Sequence, residues 1–205
     1  MFTRCYAFMY DRISRGSERA GLRDDHAALL AQARGDTVEI GAGTGLNLAH
    51  YPAAVTNLTL VEPDQHMRKR LRRRVAQDRP DAIVLDARAE TLPVQDASFD
   101  TVVASFVLCS VDDQTAVLDE IARVLRPAGQ LLFLEHVRDE DPRIAKKQDD
   151  PPFLYSWMGC HPNRATLDAI TRSKLSVLAV HRGAVPKASV IERPMVVGRA
   201  TRSAG

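Results

Sequence analysis

Val38-Glu39-Ile40-Gly41-Ala42-Gly43-Thr44-Gly45 decides the fold of this chain, together with a second apolar run that ends in Leu60-Val61-Glu62-Pro63-Asp64. The first stretch is a short apolar strand that runs straight into alternate glycines. Residues without a Cβ let the backbone turn tightly and let a ligand come close. In the second run a carboxylate, Glu62, stands at the tip of the next strand, where it can accept hydrogen bonds from both hydroxyls of a ribose. The pair reads as a nucleoside-binding site and points to a cofactor-using enzyme.

Spacing narrows the nucleoside. The dinucleotide fingerprint G-x-G-x-x-G needs its third glycine at position 46, where this chain has Leu46; the pattern here is G-x-G-x-G. A dinucleotide wants helix-terminal N–H groups aimed at its pyrophosphate. S-adenosylmethionine has no phosphate and needs room for its methionine portion over the loop.

The order of elements can be read outward from this loop. Ala27, Leu29, Leu30 and Ala33 at helical spacing predict a helix over about residues 24–33, stopped by Arg34-Gly35-Asp36. A short helix over 46–50 ends at Tyr51-Pro52, and residues 58–61 form a buried strand. Asp64 caps a helix with Met67, Leu71 and Val75 on one face, closed by Pro80 before a strand at 83–85. After a loop over 91–98, residues 99–104 read as a strand, and Asp112 as the cap of a helix burying Val117, Leu118, Ile121, Val124 and Leu125. Arg126-Pro127-Ala128-Gly129 is the expected exit turn, and residues 131–134 the fifth strand. Asn163 is placed as the cap of a helix to Ile170, followed by strands at 175–180 and 195–198 with no helix-sized segment between them. Such alternation predicts a doubly wound α/β sheet whose ligand lies beyond the carboxyl ends of the strands, closed by an antiparallel pair.

Composition bounds the class. At 205 residues and 45% hydrophobic, the chain reads as one domain over 1–205, with residues 1–35 as an N-terminal helical cap and 138–162 as an acceptor-side loop. A net charge of +2 is too mild for a nucleic-acid partner, and no run reaches membrane-span length. Cys5, Cys109 and Cys160 are far apart in sequence, with no metal-ligand spacing, so reduced thiols, no metal and a cytoplasmic location are expected.

The motif and its surroundings resemble the class I S-adenosylmethionine-dependent methyltransferases, whose first motif commonly reads (D/E)-x-G-x-G-x-G, with Glu39 at the acidic position. Residues 88–93, 96–100 and 123–129 resemble the signature run of the ubiquinone-biosynthesis-like superfamily. Val107-Leu108-Cys109-Ser110-Val111, Leu134-Glu135-His136-Val137 and Gly159-Cys160-His161, with Arg164 and Thr166, resemble its thiol S-methyltransferase branch; phospholipid N-methyltransferases are the next nearest. The resemblance implies a seven-stranded, mostly parallel Rossmann-like sheet in the order 3-2-1-4-5-7-6 with strand 7 antiparallel. It also implies methyl transfer to a small, lipophilic acceptor, with a thiol favoured over a phospholipid amine or a quinone ring. A non-catalytic protein that binds the cofactor and acts through partners is the alternative from another class. Membrane-associated members of the thiol branch carry an N-terminal hydrophobic anchor, for which residues 1–12 are too short and too polar.

By position, Gly41, Gly43 and Gly45 are implied to cradle the methionine portion and Glu62 to hold the ribose. Met67 either packs on the adenine or is plain core, backbone atoms of Arg88 and Ala89 meet the adenine edge, and Ser105-Phe106 line the methyl-donor end. Glu39, Asn47, Pro63 and Glu90 complete the expected cofactor contacts. His136, just past strand five, is the first candidate for a general base because imidazole titrates near neutrality, the other reading being a histidine that satisfies a local backbone group. His161 is a weaker candidate. Phe153, Tyr155, Trp157 and Met158 suggest a lid or acceptor pocket, and Phe2, Tyr6, Phe8, Met9 and Tyr10 an aromatic patch folded over the cofactor. Asp150-Pro151-Pro152-Phe153 resembles an amino-methyltransferase motif but stands in the wrong place, and the arginines of 68–74 read as a solvated helix face.

Overall fold

The computed structural model describes residues 4–152 and 159–202, with side chains from Tyr10 onward. Strands β1 (Gly35–Ile40), β2 (Val55–Val61), β3 (Ile83–Leu85), β4 (Phe99–Ser105), β5 (Leu125–His136), β6 (Leu175–Ala184) and β7 (Pro194–Arg202) form one sheet in the order β3-β2-β1-β4-β5-β7-β6. β1 to β5 pair in parallel, and β7 runs antiparallel to both β5 and β6. This is the expected order, including the reversed terminal pair.

The apolar runs are continuous because both faces of the sheet are covered. Val102, Ala104, Leu131 and Phe133 point to one side, against Val117, Leu118 and Ile121 of α4 (Gln114–Val124) and Ile170 of α6 (Thr166–Arg172). Val103, Leu132 and Leu134 point to the other, against Leu29 and Leu30 of α2 (Arg23–Leu30) and Leu71 and Val75 of α3 (Gln65–Asp78). Each strand thus divides its side chains between two cores at period two. Truncating a fully buried member such as Leu71 would cost about 2–5 kcal/mol.

Local chemistry corrects several boundaries. Asp64 caps α3 as expected, accepting from the N–H groups of His66 and Met67 at 2.8 Å each. The cap of α4 is Asp113, which accepts from Thr115 and Ala116, while Asp112 turns away to pair with Arg88. Asn163 is not a cap either: its amide donates to Asp149, and α6 starts two residues after the expected point, without a side-chain cap. Arg126–Gly129 is no exit turn. β5 begins at Leu125, and the residues between its pairings with Phe99 and Thr101 form a bulge with Ala128 at φ 61°. Arg126 anchors that bulge by donating to Asp100 at 2.5 Å and Asp36 at 2.8 Å, at the amino ends of β4 and β1.

Two flanking regions carry more structure than their sequence suggested. Before β1, α1 (Arg4–Ser17) and a π-helical turn (Glu18–Leu22) precede α2, with Gly21 at φ 129° making the kink between them. After β5, the segment read as a loop contains α5 (Pro142–Asp149), capped by Asp141 and opened by a proline whose missing N–H is no loss at a first-turn position. Fully buried Gln148 of α5 donates to the carbonyls of Val137, Pro162 and Ile191 and accepts from Asp139 N–H. One amide therefore fastens the end of β5, the approach to α6 and the β6–β7 connection.

Candidate cofactor and acceptor site

The glycine loop leaves β1 with Gly41, Gly43 and Gly45 at φ 64°, 58° and 84°, a region that L side chains avoid. What surrounds them differs. A Cβ on Gly41 would lie 2.4 Å from Val107, and one on Gly45 would lie 2.7 Å from Leu71 and 3.0 Å from Leu48. Those two glycines are required by packing beneath the loop. Above Gly43 the nearest atoms would be Tyr10 Cε1 at 3.9 Å and Gly41 O at 4.0 Å. The loop is therefore tight below and open on one face.

Glu39 braces this loop from inside. Its oxygens accept from Asn47 Nδ2 at 2.7 Å and Tyr51 OH at 2.8 Å, and burial pushes its carboxyl up to about 7. Glu39 and Asn47, both expected at the cofactor, are spent on each other, binding β1 to the short 3₁₀ turn Leu46–His50. Glu62 lies at the carboxyl end of β2, accepting from Gly43 N–H and Asp64 N–H at 2.8 Å each, with burial the main force raising its pKa. Each carboxylate oxygen keeps a second lone pair. Pro63 is exposed beside it.

Met67 is buried at 5% exposure, on the face of α3 toward the protein interior. Ala89 is buried as well, while exposed Arg88 donates to Glu90 and Asp112, and Glu90 accepts from Asp112 N–H, which holds the β3–β4 connection in place. The helix α1 docks on the loop through Asp11, which accepts from Thr44 Oγ1 at 2.5 Å and from Arg74 at 2.6 Å. Arg70 also reaches Asp11, and Arg68 turns inward to Glu62 O and Asp86, so the basic run of α3 is only partly a solvated face. Tyr10 is packed at the loop, its phenol raised by burial and by Glu62. The other residues of the N-terminal aromatic patch have side chains outside the described residues, and so does the cluster Phe153, Tyr155, Trp157 and Met158.

The carboxyl ends of β4 and β5 form the second half of the site. Phe106 has φ 51°, and its ring stands edge-on to His26 at 6.0 Å and tilted against His136 at 4.4 Å. Ser105 Oγ lies 3.0 Å from His26 Nε2, and His26 Nδ1 lies 3.3 Å from Glu18 Oε1. Burial pushes His136 down to about 4, partly offset by backbone groups of Glu192 and Pro194, and its Nδ1 is buried without a partner. Next to it, Glu135 accepts the N–H groups of Val107 and Leu108 at 3.0 and 2.9 Å; burial raises it to about 7, and Oε2 has no partner. Cys109 and Cys160, distant in sequence, are buried with their sulfurs 3.8 Å apart, and the Cys160 contact and burial raise the Cys109 thiol. His161 is exposed next to Cys160, and desolvation by its neighbours lowers its imidazole.

Sequence reasoning missed His26, Glu18 and the bracing role of Tyr51. His26 was readable in principle, since it falls at i, i+3 and i+4 with Leu29 and Leu30 on the buried face of α2. Among the described residues no cluster could hold a metal ion, and no helix is long and apolar enough to cross a membrane.

The loop thus presents an open face over Gly43 with the Glu62 carboxylate beside it. The family model described as a methyltransferase domain matches residues 38–133. Human thiol S-methyltransferase TMT1A is 32% identical over 171 residues, 80% of this chain and 70% of that protein. A phosphatidylethanolamine N-methyltransferase of Cereibacter sphaeroides is 33% identical over 146 residues, 68% of each chain. In fold, a Thermotoga maritima S-adenosylmethionine-dependent methyltransferase, a possible histamine N-methyltransferase, superposes with a TM-score of 0.70 at 24% identity, covering 97% of this chain and 96% of that one. With its glycine loop, strand order and relatives in agreement, the chain belongs to the class I S-adenosylmethionine-dependent methyltransferases.

Proposed function

We propose that the enzyme methylates the sulfur of a small, lipophilic thiol. Bound S-adenosylmethionine supplies a methyl already activated on a sulfonium. The protein's work is then positioning, which can be worth about 7–11 kcal/mol when the reacting atoms are held near contact. Glu62 would hold the ribose and the open face of Gly43 the methionine portion. Glu39 and Asn47 keep that loop in shape from beneath.

The observation that carries the reading is Phe106, an aromatic wall at the end of β4 held between two imidazoles. An apolar wall suits a lipophilic acceptor, and His136, neutral at physiological pH because burial holds it near 4, adds no charge to it. A thiol is far more acidic than an alcohol or a carbon acid, and its thiolate is a strong nucleophile, so a mild base serves. The relationship to thiol S-methyltransferase TMT1A supports the same acceptor.

The test is incubation with S-adenosylmethionine and, in parallel, an alkyl thiol, phosphatidylethanolamine vesicles and a quinol, with products read by mass spectrometry. A methyl thioether formed in step with S-adenosylhomocysteine is expected. Methylated amine with no thioether would replace this acceptor by a phospholipid amine.

A further inference from the structure

Resting on the thiol reading above, we infer that Ser105 and His26, backed by Glu18, take the proton from the acceptor thiol. Ile40 pairs with Ala104, so Ser105 is the first residue of β4 to stand beside the start of the glycine loop. Its hydroxyl is 3.0 Å from His26 Nε2, and the opposite ring nitrogen is 3.3 Å from Glu18 Oε1. His26 Nδ1 is buried without a hydrogen bond, and Glu18 stands beside it at ion-pair distance. A hydroxyl at the open end, an imidazole behind it and a carboxylate behind that is the order in which a nucleophile's proton is drawn inward.

Proton and electron movements balance. The acceptor's S–H proton passes to Ser105 Oγ as the serine's own hydroxyl proton passes to His26 Nε2. The freed sulfur pair forms the new S–CH₃ bond, and the pair of the broken C–S bond stays on the donor's sulfur, cancelling its positive charge. The imidazolium, facing the Glu18 carboxylate, then returns its proton to water. His26 acts through Ser105 and does not itself meet the acceptor.

Its surroundings are specific. Glu18 on the π-helical turn, Glu39 on β1 and His50 on the 3₁₀ turn are the titratable groups that sense its charge, and the Phe106 ring covers one edge. His136, on the far side of that ring, has no comparable chain of partners.

The experiment compares His26→Gln, Ser105→Ala and Ser105→Thr with the parent enzyme, using an alkyl thiol and an aryl thiol already ionised at neutral pH. For His26→Gln at pH 7, kcat/KM should fall about 100-fold on the alkyl thiol and less than tenfold on the aryl thiol. The alkyl deficit should shrink as the pH rises toward the alkyl thiol's own pKa, where the thiolate forms without a base. Ser105→Ala should behave likewise, and Ser105→Thr should restore most of the rate. In the protein without cofactor, ¹⁵N NMR of the imidazoles should show the His26 signal moving in Ser105→Ala. Equal losses on both thiols at every pH, or an unmoved His26 signal, would overturn the inference. A parent enzyme that binds S-adenosylmethionine yet methylates neither thiol would overturn the thiol assignment, and this inference with it.

Discussion

The two halves of the site are built on different principles. At the ends of β1 and β2 the buried polar groups are closed into pairs: Glu39 with Asn47 and Tyr51, Glu62 with two backbone N–H groups, Thr44 and Arg74 with Asp11. At the ends of β4 and β5, Glu135 Oε2 and His136 Nδ1 are buried without partners, and Phe106 sits in a strained backbone region. The contrast matches the two tasks. A cofactor of fixed shape can be met by a rigid cradle whose groups are held in place by one another. On the function proposed above, the strain and the unspent hydrogen-bonding capacity would stand where the acceptor is recognised.

The largest effect should come from removing Glu62, the carboxylate beside the open face of the loop. Glu62→Ala should weaken S-adenosylmethionine binding about 100-fold or more, since each hydrogen bond to a charged group is worth about 1.5–3 kcal/mol. Calorimetric titration would check this, with circular dichroism to establish that the variant is folded. Unchanged affinity in a folded variant would end the assignment of Glu62 to the ribose and remove the main difference between the halves.

Next come the glycines, which separate packing from binding within the donor half. Gly41→Ala forces a Cβ to 2.4 Å from Val107 at φ 64° and should cost roughly 2–5 kcal/mol of folding stability in denaturant titration. Gly43→Ala meets nothing closer than 3.9 Å. Its folding cost should be about 1–2 kcal/mol, for the backbone conformation alone, yet it should impair cofactor binding more than Gly41→Ala does. The reverse ranking would mean that the open face over Gly43 is not the cradle.

On the acceptor side, Glu135→Gln should change how stability depends on pH. Burial raises the folded Glu135 carboxyl from 4.5 to about 7, so the folded chain holds this proton after the unfolded chain has released it. Raising the pH from about 4.5 to 7 therefore removes stability, and below 4.5 both states are protonated and the cost is absent. Glutamine keeps an oxygen for Val107 and Leu108 N–H and cannot ionise. The variant should lose that slope and gain on the order of 1–3 kcal/mol over the parent at pH 8. Urea titrations across pH 4–8 would measure it. An unchanged slope would mean that Glu135 is not the costly carboxylate on this side.

The same contrast governs what could be read from sequence. The strands and the glycine loop were legible because they rest on local signals, continuous apolar runs and three alternate glycines, whereas the strand order followed from the family resemblance. The acceptor half depends on contacts between residues far apart in sequence. His26 meets Ser105 across 79 residues and Cys109 meets Cys160 across 51, and neither pair has a local pattern. Glu39 shows a different limit. Its type and position were read correctly as belonging to the loop, but whether a carboxylate faces outward to a ligand or inward to Asn47 and Tyr51 depends on side chains that fold under it.

The smallest effect tests the comparison at the helix caps, where two aspartates do the same local work on opposite sides. Asp64 and Asp113 each accept two N–H bonds at the starts of α3 and α4, so alanine at either should cost about 1 kcal/mol of stability. Their consequences for binding should diverge. The N–H of Asp64 is one of the two donors that orient Glu62, so loosening this cap should also weaken S-adenosylmethionine binding several-fold. Asp113 has no tie to the glycine loop, and its loss should leave cofactor affinity unchanged. Adjacent Asp112, which sequence alone had made the cap, pairs with Arg88 at the surface; its replacement should leave α4 as stable as before, because the choice between neighbouring aspartates is made by which backbone turn each one occupies.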